Sequence, residues 1–311
     1  MLWTSKSTYK IADELNKDRY RAGRKIVGRI LTSLEYSLQS NKKTREGSGH
    51  IDRDKQFHYI NEKTKLFQSQ SKPVISVDTK KKENIGNYKN NGKEYRSKHN
   101  PREVEAYDFI DKNKGKVAPY GIYDITLNKG WVSVGINSDT AQFAVNSIRS
   151  WWYEMGQENY LKASEIFINA DGGGSNSSRS RLWKIELQKL ANELDKSIHV
   201  SHFPPATSKW NKIEHKMFCF ISANWKAKPL IDRATVVNLI ANTKTKNGLT
   251  IKAKLDENIY QKGIKVSDED LEKINITRSD FDGEWNYVIN PIKNQEVILS
   301  QALTAVPVSG A

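Results

Sequence analysis

The chain has a single cysteine, Cys219, among 311 residues. One thiol builds no disulfide framework, which fits a reducing cytosol. No window approaches the roughly 18 apolar residues that span a bilayer, and mean hydropathy is −0.70. Met1–Lys6 shows no apolar stretch of the kind a signal peptide needs. These absences lead to the expectation of a cytoplasmic protein without a membrane partner. No GxxxxGK[ST] loop and no dinucleotide fingerprint occurs, which argues against a P-loop or nicotinamide enzyme. Acidic residues are also few: 36 Asp+Glu face 50 Lys+Arg, a net charge of +14. The excess is at the front, with 16 basic against 8 acidic residues in 1–72 and 11 against 7 in 73–116. A basic front half points to a polyanion, because Lys and Arg release counterions from phosphates.

Periodicity divides the chain. Ser7 or Thr8 caps a first helix carrying Ile11, Ala12 and Leu15, and a break follows near Asp18–Gly23. A second helix runs from about Arg24 to Tyr36 with an apolar stripe of Ile26, Val27, Ile30, Leu31 and Leu34. Arg24, Lys25 and Arg29 lie on its other face. A short helix, a turn and a basic helix fit a helix-turn-helix DNA reader, or an ordinary helical hairpin. Residues 39–56 are polar and basic, with Lys42 and Lys43, and read as a phosphate-tracking arm or a flexible spacer. A third helix is expected around Asp52–Phe67.

At Pro73 the period changes. Val74–Val77 and Ile166–Ala170 are short apolar runs, read as buried strands that end at Asp78 and Asp171. Tyr120–Thr126 and Trp131–Ile136 read as strands between them. Asp139 and Gln142 have capping-box spacing and open a helix that ends at Gly156. A further helix holds Leu182, Ile185, Leu190 and Leu194, and Ile198–Val200 starts another strand. A last helix, about Asn211 to Trp225, presents Ile213, Met217, Phe218, Phe220 and Ile221 on its apolar face and Glu214 in its first turn. Trp151, Trp152 and Trp183 fall on faces expected to be buried. The expected class is α/β, with domains 1–38 (helix-turn-helix), 39–72 (linker and helix), 73–228 (catalytic core) and 229–311 (small α/β extension and tail).

Open α/β sheets place ligand sites at the carboxyl ends of strands. Two strand-end aspartates and a helix glutamate therefore form a candidate catalytic and metal-binding set: Asp78, Asp171 and Glu214. Each alone also suits a turn, a cap or a helix dipole. Carboxylates distant in sequence but convergent in space are what Mg²⁺ takes beside phosphate. Two ions about 4 Å apart clamp the oxygens of an in-line phosphoryl displacement. Lys80, Lys81 and Lys82 follow Asp78 as DNA-backbone candidates, and Gly172, Gly173 and Gly174 follow Asp171, where N–H groups can face an anion or merely make a flexible turn. His199, His202, His215 and Cys219 have finger-like spacing, but the last two would share a helix face beside Glu214, so a zinc site is disfavoured. His202 and His215 are better supporting neighbours of the site.

Long segments carry a family likeness. They are Pro73–Lys82, Ala118–Asp124, Gly130–Ile136, Ala170–Asn176, His202–His215, Gly263–Asp268 and Gly283–Tyr287. In these the chain resembles bacterial insertion-sequence transposases with a Rhodopirellula-type DDE domain, the ISAzo group, over about Leu2–Pro291. Asn211-Lys212-Ile213-Glu214 is also similar to the Asn-Pro-x-Glu neighbourhood of mariner-like transposases, with Lys212 at the proline. The resemblance implies an RNase H-like mixed sheet and makes Asp78, Asp171 and Glu214 the catalytic triad. It implies two Mg²⁺ ions per site, replaceable by Mn²⁺, with double-stranded DNA (element ends and target) as partner. It further implies metal-dependent cleavage at element ends, 3′-OH strand transfer, and a homodimer or higher oligomer in the synaptic complex. Lys209 and Asn211, just before Glu214, join the DNA-contact candidates. Members carry a further region before the Trp3–Ser7 segment. This leaves, as an alternative, a truncated and inert chain that regulates by binding DNA. A nuclease acting on RNA is a third reading, since fold alone does not set substrate.

Overall fold

The computed structural model describes residues 4–39, 50–111, 113–137 and 139–292. Two compact units divide the chain, Met1–Gly47 and Ser48–Ala311. Among the described residues, no helix is long and apolar enough to cross a membrane.

The first unit pairs α1 (Thr8–Lys17) with α2 (Arg24–Ser33). Ser7 caps α1 by accepting from Lys10 N. Asn16 closes the turn, donating to Ala22 O and accepting from Ala22 N, both at 3.1 Å. Helix α2 stops at Ser33, short of the expected Tyr36, as Glu35 turns the chain at φ 61°. Of the expected stripe only Val27 is buried; Ile26, Ile30 and Leu34 are exposed. Ala12 on α1 is the other buried side chain. Two ten-residue helices make too little core to cover a second apolar row.

The second unit begins with α3 (Arg53–Ser69), β1 (Val74–Thr79), β2 (Glu83–Asn84), β3 (Lys116–Asp124) and β4 (Lys129–Gly135). Then come α4 (Ala141–Trp151), α5 (Gln157–Asn159), β5 (Glu165–Ala170), α6 (Arg181–Leu194) and β6 (Ser197–His202). It closes with α7 (Cys219–Asn224), α8 (Arg233–Ala241), β7 (Thr250–Asp256), α9 (Asp268–Glu272), β8 (Ile276–Arg278) and β9 (Asn286–Ile289). One π-helical segment, Trp152–Gly156, continues α4, and another, Glu214–Phe218, leads into α7.

Strand β1 lies between antiparallel β3 and parallel β5, with β4 outside β3 and β6 outside β5. This order, β4-β3-β1-β5-β6, is the RNase H-like mixed sheet that the sequence leads one to expect. The alternation of β1 explains its two faces. Ile75 and Val77 join the core under α4 and α6, where Trp151, Trp183 and Leu187 are fully buried. Val74 faces the other way, against Phe67 of α3 and Phe167. Ile213, Met217, Phe218 and Ile221 cover β3 and β4 on that side, whereas Phe220, expected with them, is 38% exposed. The π turn shifts the helix face, so Phe220 points outward. The segment 229–292 is α/β as expected, and its strands extend this same sheet: β7 pairs parallel with β4, and β9 then β8 flank β6.

Gly121 sits opposite Asp78 in the β1–β3 ladder. A methyl there would lie 2.5 Å from Phe218 Cε1 and 2.7 Å from Met217 Cε. The missing side chain lets the Glu214-bearing helix approach the sheet beside Asp78. Gly121→Val is therefore expected to overpack this contact at about 1–3 kcal/mol, and scanning calorimetry should read a Tm several degrees lower. An unchanged Tm would show that the helix moves away at no cost.

Candidate active site

The register decides the site. Val77 pairs with Ala170 across parallel β1 and β5, so Asp78 and Asp171 come next along adjacent strands at the same sheet edge. Asp78 is still within β1, one residue from its end, because Thr79 continues the pairing with β3. Glu214 arrives from the other direction. Buried Ser76 Oγ accepts the Ile213 N–H at 3.1 Å and donates to Asn211 Oδ1. Asn211 Nδ2 in turn donates to Val77 O at 3.1 Å. These bonds stitch the turn before Glu214 to the residues before Asp78.

Asn211, expected as a DNA contact, is corrected by this: it is fully buried and braces β1. A side chain with no exposed surface offers nothing for a DNA strand to touch.

Asp171, Glu214 and Asp139 all bear on the Asp78 carboxyl. Burial pushes the Asp78 carboxyl up to about 8, and the charges of Asp171, Glu214 and Asp139 push the same way. Burial also raises Asp171, against an Asn176 Nδ2 bond of 2.9 Å and the Gly173 N–H, which both favour its charged form. Burial raises Glu214 too, while the Lys80 ammonium holds it down. The N–H expected to face an anion after Asp171 thus faces Asp171 itself.

Asp139 is a fourth carboxylate at the site, where its spacing to Gln142 suggests a helix cap. Thr140 is the cap of α4, accepting from Phe143 N at 3.2 Å. Asp139 instead accepts from Thr79 Oγ1 at 3.0 Å. Its signal in the sequence, an acid just before a Thr cap, is indistinguishable from ordinary capping.

The basic candidates separate. Lys80 is 8% exposed, 4.4 Å over the Trp225 ring and 3.4 Å from Glu83, so it acts within the site. Lys80, Lys81, Lys209, Glu214 and His215 line an open groove of about 520 Å³. Lys82 is exposed. Arg24, Lys25 and Arg29 are exposed on α2, with Arg24 stacked on Tyr9 at 4.9 Å. Lys42 and Lys43 lie outside the described residues.

The candidate histidines are each bonded within the fold. Tyr287 O–H receives Trp183 Nε1–H at 3.0 Å and donates to His202 Nε2 at 3.0 Å, and His202 Nδ1–H donates to Asp171 O at 3.0 Å. One direction of donation runs through the chain and fixes a neutral tautomer. His199 pairs with Glu165 at 3.0 Å, and His215 bonds Lys209 O. The finger-like spacing of these residues therefore holds no common site. Among the described residues, three ligand-type groups within 4.8 Å of one another occur only at His50, Asp52 and Asp282. Of these, His50 packs on Trp285 at 4.7 Å, and Asp52 takes Lys55 at 3.4 Å.

The sequence profile of the Rhodopirellula transposase DDE domain matches residues 1–291. The chain belongs to this transposase family. No curated protein matches it. Among solved structures it is similar to a Mos1 transposase paired-end complex with left transposon end, at 12% identity and TM-score 0.43, over 75% of this chain and 64% of that one. A pre-cleavage Mos1 transpososome gives 12% and 0.43, over 75% and 65%. The Mos1 mariner paired-end complex with Mn gives 12% and 0.42, over 75% and 64%. The chain thus spans less than two thirds of these Mos1 chains.

Burial lowers the His202 imidazole to about 4 and His199 to about 4. Their folded values lie below the unfolded value of about 6.5. Their stability is therefore complete above pH ~6.5 and lost as pH falls from there through about 4. The raised Asp78 carboxyl titrates in the opposite sense over the same range, so the histidine contribution is read as a difference: in urea denaturation the stability of wild type relative to His202→Gln should fall between pH 7 and pH 4. An unaltered difference would place the acid sensitivity elsewhere.

Proposed function

We propose that this transposase-family chain cuts DNA at the ends of its element and joins the freed 3′-OH to target DNA. Asp78, Asp171 and Glu214 are the catalytic set in this reading. The observation that carries it is the Val77–Ala170 register, which sets Asp78 and Asp171 on adjacent strands, together with the Ser76–Asn211 stitch, which ties the turn before Glu214 to β1.

The donor set fits a hard divalent cation. Its ligands are oxygen only, they are largely buried, and they repel one another until positive charge is shared among them. Asp78, Asp171 and Glu214 would hold two Mg²⁺ ions, with Mn²⁺ as substitute, and Asp139 would orient Thr79 and Asp78 beside them. When bound, such ions activate the attacking oxygen and stabilise the leaving one. The chain's own residues do the rest. The Lys80 ammonium opposes the burial that raises Glu214. Asn176 and the Gly173 N–H hold the Asp171 carboxylate in place. Lys81, Lys82 and Lys209 receive the phosphates of a strand lying in the groove beside Glu214. The helical pair of the first unit, with exposed Lys25 and Arg29, binds double-stranded DNA at the element ends. Joining two ends calls for at least two copies of the chain.

Cleavage of labelled duplex carrying the element's ends, with Mg²⁺ or Mn²⁺, tests this. Wild type should nick at the 3′ end only with metal. Glu214→Gln and Asp78→Asn should lose more than about a hundredfold in rate, the upper range for merely disturbing a metal's outer shell. DNA binding without metal-dependent cutting would contradict the enzyme and leave a DNA-binding regulator.

A further inference from the structure

Helix α6 carries cations at the end where a helix is already positive. Arg181 opens it and Lys184 stands three residues on, and its first turn holds no acidic residue. Cations are disfavoured there, because the helix dipole has its positive pole at the N-terminus. The Arg278 guanidinium of β8 bears on the same place. Arg181 is answered by Asp268 at 2.6 Å and by Val266 O at 3.2 Å, and Arg278 by Glu284 at 3.0 Å.

Lys184 has no such answer. Among the described residues two lysines are buried, Lys80 at 8% exposed and Lys184 at 5%. Lys80 has Glu83 at 3.4 Å, whereas Lys184 has neither an ion pair nor a hydrogen bond among the described residues. Its ammonium lies 5.7 Å from the centre of the Tyr287 ring, whose hydroxyl is already bonded to Trp183 and His202. Burial first, and Arg278 after it, push this ammonium below its ordinary value; Glu284 opposes them and Arg181 adds to them. A buried cation without a counter-charge is costly, and the missing partner is an anion.

The cluster borders the carboxylates on the side away from Glu214. Lys184 stands over β9, which lies beyond β5 and β6, and the Trp183–Tyr287–His202 chain beside it ends on Asp171 O. The groove with Lys81 and Lys209 opens beside Glu214, whose helix packs on β3. Side chains on a helix lean toward its N-terminus, so Lys184 reaches back over the first turn of α6.

We infer that Lys184 and the N-terminus of α6, with Arg181 and Arg278 beside them, hold one phosphate of the DNA backbone on the β9 side of the carboxylates. This rests on DNA being the substrate, as argued above. A phosphate accepts from an ammonium and from helix-end N–H groups together, and its charge offsets both. Such a contact positions a strand without reading its sequence. With Lys81 and Lys209 on the other side, the strand is held on both sides of the metal ligands. The phosphate belongs to the element end or to the target, and the chemistry is the same for either.

The test is the salt dependence of binding of the full chain, without divalent metal, to a duplex of the element's end and to an unrelated duplex. In Lys184→Met the fall of log affinity with log salt should be shallower by about one, with affinity about three- to tenfold weaker at low salt. Lys184→Gln should behave alike, and Lys184→Arg should keep the wild-type slope. Lys184→Met keeps the stem and removes an unpaired buried charge, so its Tm should be no lower than that of wild type, which a lysine needed only for packing on Tyr287 would not give. A change with both duplexes assigns the contact to any strand, and a change with the element end alone assigns it to that strand. Wild-type slopes with both duplexes in Lys184→Met and Lys184→Gln would overturn the inference while leaving the transposase reading standing. Failure of wild type to bind any duplex would overturn both.

Discussion

Like charges at the ends of neighbouring strands repel, and the architecture around β1 is organised to hold them together regardless. The β1–β5 register fixes Asp78 beside Asp171, and burial removes the water that would otherwise screen them. Carboxylates in such a place drift toward their neutral forms unless positive charge is supplied. Around them stand groups that favour the ionised forms: the Thr79 N–H on Asp78, Asn176 on Asp171, and Lys80 near Glu214. The cost is carried by the core beneath, where the aromatic packing of α4 and α6 leaves β1 no alternative register.

The third carboxylate depends on a different device. A helix rarely approaches a sheet edge closely enough for its first turn to meet a strand end. Here Gly121 removes the obstructing side chain, and Ser76 and Asn211 replace it with hydrogen bonds. The π turn beginning at Glu214 widens the backbone at that point, a distortion that recurs at functional sites. On the other side of the site, the Trp183–Tyr287–His202 chain ties the Asp171 turn to β9. The C-terminal segment is thereby bonded to the turn that follows Asp171 and is not an appendage.

Much of this was legible in the sequence, for physical reasons. Short β-branched runs ending in Asp can hardly be anything but buried strands, so β1 and β5 and their aspartates could be read directly. The family segments from Pro73 to His215 supplied their convergence. What escaped was whatever depends on contacts across the fold. Asp139 has the local pattern of a helix cap and serves the site only because Thr79 lies opposite. Asn211 has the composition of a surface loop and is buried by its bond to β1. Phe220 follows the helical stripe until the π turn rotates it outward. Gly121 carries no signal until Phe218 is placed against it.

Burial first, and the neighbouring carboxylates after it, disfavour the charged form of Asp78, and a divalent cation would relieve both. The most direct measurement is the Tm of wild type and Asp78→Asn at pH 7–8, first without metal and then with millimolar Mn²⁺. Without metal, the neutral amide should raise Tm by about 2 °C or more, as relief of about 1 kcal/mol does in a domain of this size. With Mn²⁺ the order should reverse, because only wild type keeps the ligand. A metal-free Asp78→Asn variant less stable than wild type, or equal Mn²⁺ stabilisation of both, would contradict the account.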